Sequence, residues 1–381
     1  MIFVAELLNH GADPNICGGK YGTALIRASS QGHVENVKEL LAKGADINAQ
    51  GRTYGTALQA ASSPGHIEVV QLLVEKGADV NAQGGVDGTA LQAASGRGHI
   101  EVIQLLVEKG ADINAQGGFY GTALQAASYQ GHIEVIQLLV EKGADVNAQG
   151  GYYGTALQAA SLGGHIKLIQ LLVEKGADVN AQGGHYGTAL QAASFGGHIK
   201  VIQLLVEKGV DINAQGGLFG TALQAASYGG HIEVIQLLIG KGADVNAQGG
   251  HYGTALQAAL SGGHIEVIQL LVEKGADVNA QGGFYGTALQ AASYQGHIEV
   301  IQLLVEKGAD INAQGGHYGT ALQAASSGGH IEVIQLLVEK GADVNAQGGY
   351  YGTALQAALS KGHTKVVQLL VEKGTGIKAK D

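Results

Sequence analysis

Residue types that could do chemistry recur through this chain at fixed intervals. One Gly-His pair recurs about ten residues after each GTAL threonine and supplies eleven of the fifteen histidines, from His33, His66 and His99 onward. All but His33 follow a Thr-x-x-Gln, such as Thr89 and Gln92 ahead of His99. Glu101, Glu108 and Asp112 come next, and every repeat has similar acids. Such residues could ligate a metal, activate a nucleophile or work as an acid–base pair. Repetition argues against each. Copies in adjoining helical repeats stand about 10 Å apart, whereas metal ligands gather within about 2 Å of one ion. His185, His251 and His317 lie two repeats apart, farther still. They read as neutral contact residues with weak pH sensitivity. The acids are spread over turns and an outer helix, so no pair is set for proton transfer. Thr and Gln have no base beside them. The single cysteine, Cys17, stands where the following repeat has Gln50. The glycine pairs lack the Lys-Ser/Thr of a phosphate loop and the βαβ context of a dinucleotide site. No catalytic residue, metal or cofactor is expected.

The elements that carry these residues follow from the period. GTAL places its threonine at Thr23, Thr56, Thr89, Thr122, Thr155, Thr188, Thr221, Thr254, Thr287, Thr320 and Thr353, a step of 33 residues throughout. A constant period of this size means a solenoid in which each repeat buries its faces against its neighbours. In the repeat Gly84–Gln116, Gly84-Gly85 reads as a two-residue tight turn, making a hairpin-like finger. Thr89 and Gln92 form a capping box: the hydroxyl takes the Gln92 N–H and the amide reaches back to Thr89 N–H. A short helix of small residues follows (Ala90, Leu91, Ala93, Ala94), and Gly98-His99 ends it. The second helix, IEVIQLLVEK, places Ile100, Ile103, Leu106 and Val107 on one apolar stripe, widened by Val102 and Leu105. Gly110 closes it as a C′ glycine, with Lys109 suiting the dipole.

Composition bounds the partners. The net charge is −10, which argues against nucleic acid, since phosphate binding needs a basic face. One cysteine excludes an intrachain disulfide framework and suits a reducing compartment. No signal peptide and no membrane span are read, so a cytoplasmic location is expected. No Lys/Arg cluster marks the chain for the nucleus.

The string GTALQAAS–GHIEVIQLLVEKGADVNAQ resembles the ankyrin repeat over essentially the whole chain. The family's proline at the first helical position is Ala here (Ala57, Ala90), and its histidine two residues later is Gln (Gln59, Gln92). The resemblance implies that this histidine bonds between adjacent loops. The residues leave open whether Gln does so or only closes the capping box. ALQAAS and the GGxYG finger further resemble ankyrin arrays of large fungal proteins, especially those joined to NACHT-type, NOD-like receptors. The family implies an all-α, right-handed curved two-layer solenoid. Fingers and first helices would line the concave face, where such arrays bind proteins or peptides.

Repeats copied from one another show where the sequence is free to change. Three positions vary most. Three before the threonine stand Lys20, Thr53, Val86, Phe119, Tyr152, His185, Leu218, His251, Phe284, His317 and Tyr350. Seven after it stand residues including Tyr129, Leu162, Phe195, Tyr228 and Tyr294, with small residues elsewhere, and the next position runs from Gln31, Pro64 and Arg97 to Lys361. Finger and first-helix residue form four successive apolar or aromatic pairs: Phe119 with Tyr129, Tyr152 with Leu162, His185 with Phe195, and Leu218 with Tyr228. Phe284 with Tyr294 repeats the theme. Large rigid rings suit a binding surface. The partner-binding set is therefore Phe119, Tyr129, Tyr152, Leu162, His185, Phe195, Leu218, Tyr228, His251, Phe284, Tyr294, His317 and Tyr350. The tyrosine two before the threonine recurs in nine repeats and reads as a packing ladder.

Domain organisation is one array: a half-repeat at 1–15, eleven repeats over 16–374 and a tail at 375–381. Ile2, Phe3 and Val4 make a poor cap, which suggests a longer parent array or a half-repeat that docks something, while GTGIKAKD with Lys378 and Lys380 reads as a polar closing segment. Repeats 119–151 and 284–316 differ only at Val146 against Ile311, as recent duplication would leave them. The function expected is a non-enzymatic, monomeric protein-interaction module, as part of a larger receptor-like protein. The alternative is a structural array that self-assembles end to end.

Overall fold

The computed structural model describes residues 2–19 and 21–375, without the side chains of residues 2, 3, 5 and 375. Lys20, the side chains of Ile2 and Phe3, and the tail with Lys378 and Lys380 lie outside the described residues. A leading helix, Ile2–Asn9, precedes eleven helix pairs. No strand forms among the described residues. Each finger is instead closed by one isolated antiparallel bridge, eleven in all. The chain divides into two compact bodies, residues 1–189 with 203–209 and residues 190–202 with 210–381. The repeat is built alike in each.

In the first body, Thr122 is an extended N-cap, and its hydroxyl accepts from Gln125 N–H at 3.3 Å. Gln125 Oε1 accepts from Thr122 N–H at 2.6 Å, so the capping box is complete. The helix Ala123–Gln130 ends at Gly131, which is left-handed at φ 81°. The second helix, Ile133–Glu141, buries Val135, Ile136 and Leu139. Leu124, Ala126 and Ala127 of the first helix are buried too, and their small side chains allow neighbouring first helices to lie close. Each fully buried Leu, Ile or Val contributes roughly 1.5–3 kcal/mol. In the second body, the helices Ala288–Gln295 and Ile298–Glu306 repeat the pattern around Leu289, Val300, Ile301 and Leu304.

Three details differ from the sequence expectation. The first is the finger, whose bridge joins Gly84 to Gly88 and leaves three residues, Gly85 to Asp87, at the tip. The glycine pair is therefore not the two-residue turn. Gly85 (φ 63°) must be glycine because a Cβ would lie 2.7 Å from the Tyr54 carbonyl carbon in the preceding finger. The second is the apolar stripe. Val102, Ile103 and Leu106 form its buried part, and Ile100 is 37 % exposed, being the first helical residue with no preceding turn to cover. The third is the last helix, Thr364–Thr375, which runs through Gly374. Elsewhere Ala-Asp, or Val-Asp after Gly209, follows the closing glycine, and the aspartate pins an Asx turn, as Asp145 Oδ1 does by accepting Asn147 N–H at 2.9 Å. Thr375-Gly376 lacks that carboxylate.

The polar residues join the repeats. Besides closing its box, Gln125 donates from Nε2 to the carbonyls of Ala148, at 2.9 Å, and Gly154 in the next finger. Gln224 does the same in the second body, to Gly253 O at 2.6 Å. The glutamine thus serves both roles. Asn114 accepts from Asp145 N–H and donates to Gly143 O, at 2.8 and 3.2 Å, linking successive loops. His165 donates from Nε2 to Tyr129 O, at 2.9 Å, at the end of the preceding first helix. A Cβ on Gly131 would lie 2.6 Å from that imidazole. Among the described residues, no helix is long and apolar enough to cross a membrane.

Candidate partner-binding surface

Backbone register sets the fingertips. Phe119 N–H donates to Val86 O, Tyr152 N–H to Phe119 O and His185 N–H to Tyr152 O, at 2.8–2.9 Å. In-register fingertips stack their side chains. Phe119 and Tyr152 are 5.0 Å apart between centroids, and Tyr152 and His185 are 4.6 Å apart, both nearly parallel. In the second body, Phe284, His317 and Tyr350 repeat this outer column at 4.9 and 5.0 Å. Such pairs contribute about 0.5–1.5 kcal/mol beyond area burial.

The GGxYG tyrosines form a middle column. Tyr120 stacks on Tyr153 at 6.0 Å, and Tyr285 on Tyr318 at 6.1 Å. The outer rings meet it perpendicularly, as Phe119 meets Tyr120 at 89°. The column packs as expected: Tyr153 and Tyr318 are each 5 % exposed, Tyr186 8 % and Phe219 2 %. First-helix aromatics cover it from the other side, one repeat ahead. Tyr129 stacks on Tyr153 and Tyr294 on Tyr318, both at 4.6 Å. Tyr228 lies 4.8 Å from Tyr252, and Phe195 lies 5.0 Å from Phe219.

The thirteen residues singled out by sequence therefore separate into two sets. Phe119 and Phe284 (each 43 % exposed), Tyr350 and His251 are exposed, and Tyr152, His185, Leu218 and His317 are half-buried beside them at the fingertips. Tyr129, Leu162, Phe195, Tyr228 and Tyr294 are half-buried at first-helix ends. Phe119 and Tyr129 do not pair within their repeat, because the Tyr120 ring stands against both. The third variable position is constrained too: where it is Gly163, a Cβ would meet the His165 ring at 2.4 Å.

Burial dominates the electrostatics of the middle column. It pushes Tyr153, Tyr186, Tyr285 and Tyr318 above the ordinary phenol range, and Tyr252 up to about 12. The phenols of Tyr129, Tyr228 and Tyr294 beside Tyr153, Tyr252 and Tyr318 push in the same direction. Asp87 stands where most repeats have tyrosine, and burial raises its carboxyl, with Arg97 partly offsetting this. Two cations lie on column rings: Arg27 at 4.3 Å from the Tyr21 centroid and Lys361 Nζ at 5.6 Å from that of Tyr351. The Tyr351 side chain beside it holds the Lys361 proton above the usual lysine range. Sequence reasoning missed both contacts; the lone lysine in the third variable position was the available signal.

Among the described residues, no cluster of three or more His, Cys, Asp or Glu is placed to hold a metal ion. A cleft of about 350 Å³ beside His33 and Glu35 is lined by none of the aromatic columns, and Glu35 is paired with Lys38 at 2.8 Å.

The model for ankyrin repeats (3 copies) matches residues 2–84, 82–150, 222–315 and 289–381, and that for ankyrin repeats (many copies) matches 157–206 and 190–239. A search of curated proteins finds no match. With these matches spanning most of its length, and with capped helix pairs joined by bridged fingers, the chain belongs to the ankyrin-repeat family.

Proposed function

We propose that this chain is a non-enzymatic interaction module that binds a protein or peptide through its fingertips and first-helix ends, the side that is concave in ankyrin arrays. Ankyrin repeats are generally protein–protein interaction modules. The observation that carries the specific reading is the outer column, in which large rings are held rigid by a backbone ladder yet left open to solvent. Rigid aromatic surface binds with little loss of side-chain freedom. Buried positions repeat almost without change, while the outer column varies, as a surface selected for partners would. The unbroken period supports one continuous array, and the lone exposed Cys17 suits a reducing cytoplasm. The ALQAAS and GGxYG wording supports a recognition array within a larger receptor-like protein.

The test is selection from a random displayed-peptide library on the full chain, followed by binding of the selected peptides to Phe119→Ser, Phe284→Ser and Tyr350→Ser. Selected peptides should lose affinity for these variants while circular dichroism stays unchanged. Peptides that bind all three as they bind the wild type would overturn the proposal.

A further inference from the structure

Middle-column rings differ in what covers them. Tyr153, Phe219 and Tyr318 lie under Tyr129, Phe195 and Tyr294 from the repeat before, and all three are buried. Tyr252, under Tyr228, is half-buried. Where the repeat before offers a small residue, the ring stays half-buried. Tyr351 follows Ser327, and there Lys361 of its own repeat supplies a cation at 5.6 Å. Tyr21 has Arg27 in the same role.

Tyr285 has the same small predecessor, Ser261, but Gln295 occupies the place of Lys361. Gln295 stands beside Tyr285, and its Oε1 is enclosed and has no hydrogen-bond partner. The position thus has a partly open ring and an orphaned acceptor where another repeat places an ammonium group. An unpaired enclosed acceptor is costly and favours an incoming donor. We infer that the notch at Tyr285, Ser261 and Gln295 takes a lysine or arginine side chain from a basic segment of the partner. The cation rests on the ring and donates to Gln295 Oε1 after a small rotation of that side chain. The chain's net charge of −10 favours the approach of such a segment. Tyr120 and Gln130 hold the same positions in the first body behind Gly96, but Gln130 is exposed there and Arg97 stands next to that glycine.

This inference rests on the partner-binding reading and names the partner's chemistry. The probe is a short fluorescent Lys/Arg-rich peptide, compared by anisotropy with a glutamate peptide of equal length. Ser261→Tyr fills the notch as Tyr228 does over Tyr252, without changing charge, and Tyr285→Leu removes the ring. Each should weaken the basic peptide about five-fold, and the glutamate peptide should not bind. Equal affinity for wild type and Ser261→Tyr, no binding of the basic peptide to wild type, or equal binding of the glutamate peptide would overturn the assignment. Library-selected peptides separate the two claims. If they lose binding to Phe284→Ser but not to Ser261→Tyr, the partner-binding face stands and the cation notch fails. If they ignore the fingertip variants as well, the partner-binding reading itself fails.

Discussion

Gln125→Ala is the perturbation most informative about what joins the repeats. Gln125 is 1 % exposed. Its Oε1 accepts from Thr122 N–H at 2.6 Å, and its Nε2 donates to Ala148 O at 2.9 Å and to Gly154 O. Truncation leaves one buried N–H and two carbonyls without this partner. Orphaned groups cost about 1–3 kcal/mol each, and part of that is recovered by relaxation and residual water. The expected loss is about 3–4 kcal/mol, concentrated at one inter-repeat joint. Gln356 is an internal control, since it stands in the same TALQAA context but is exposed. There the backbone N–H alone is engaged, by Thr353 Oγ1 at 3.2 Å. Gln356→Ala should cost less than about 1 kcal/mol. The assay is equilibrium urea unfolding followed by far-ultraviolet circular dichroism, with native-state hydrogen exchange to locate the opening. In a quasi-one-dimensional array, a weakened joint lowers cooperativity as well as the midpoint. Gln125→Ala should therefore lower both midpoint and slope, with faster exchange near Thr122 and Gly154. Equal effects of the two substitutions would refute the claim that this glutamine joins repeats.

Other consequences follow from the same contacts. Gly131→Ala combines a left-handed φ with a Cβ 2.6 Å from the His165 ring, whereas Gly143→Ala meets open space; thermal melts should show the first costing at least about 1 kcal/mol more than the second. The middle-column tyrosines have folded pKa values raised above 10.0, so the native state keeps protons that the unfolded chain releases. Their contribution is complete below pH 10 and declines above it, so the urea midpoint should fall with alkaline pH as tyrosinate absorbance appears. Asp87 is likewise raised from 3.8 by burial, so its carboxylate opposes folding at neutral pH. Asp87→Asn should raise the urea midpoint at neutral pH, with the difference shrinking as the pH falls toward 3.8.

Most of the architecture was legible in the sequence because it is local. Thr89 and Gln92 announce a helix start, Gly98-His99 a break and Gly110 a stop, and each is a short-range backbone preference. What was not legible depends on the neighbouring repeat. Nothing within Gly84-Gly85 reveals that the previous finger's backbone, at Tyr54, excludes a side chain at Gly85. Tyr129 looks like a partner for Phe119 along the chain, but its ring is spent on Tyr153 one repeat ahead. Variability pointed to one rim without separating its layers. First-helix aromatics vary because their cover of the middle column can be traded for a lysine or left as a notch, while fingertip rings vary with nothing packed above them. Tyr129, Phe195 and Tyr228 are accordingly poor sites for a binding test, since truncation uncovers buried rings. Phe119, Phe284 and Tyr350 are better ones.

The central claim is that the exposed outer column is the binding surface. Its most direct test is the affinity of library-selected peptides for the wild type and for a Phe119→Ser, Phe284→Ser, Tyr350→Ser triple variant of unchanged circular dichroism. Loss of binding by the triple variant is predicted. Undiminished affinity in a folded triple variant would contradict the account.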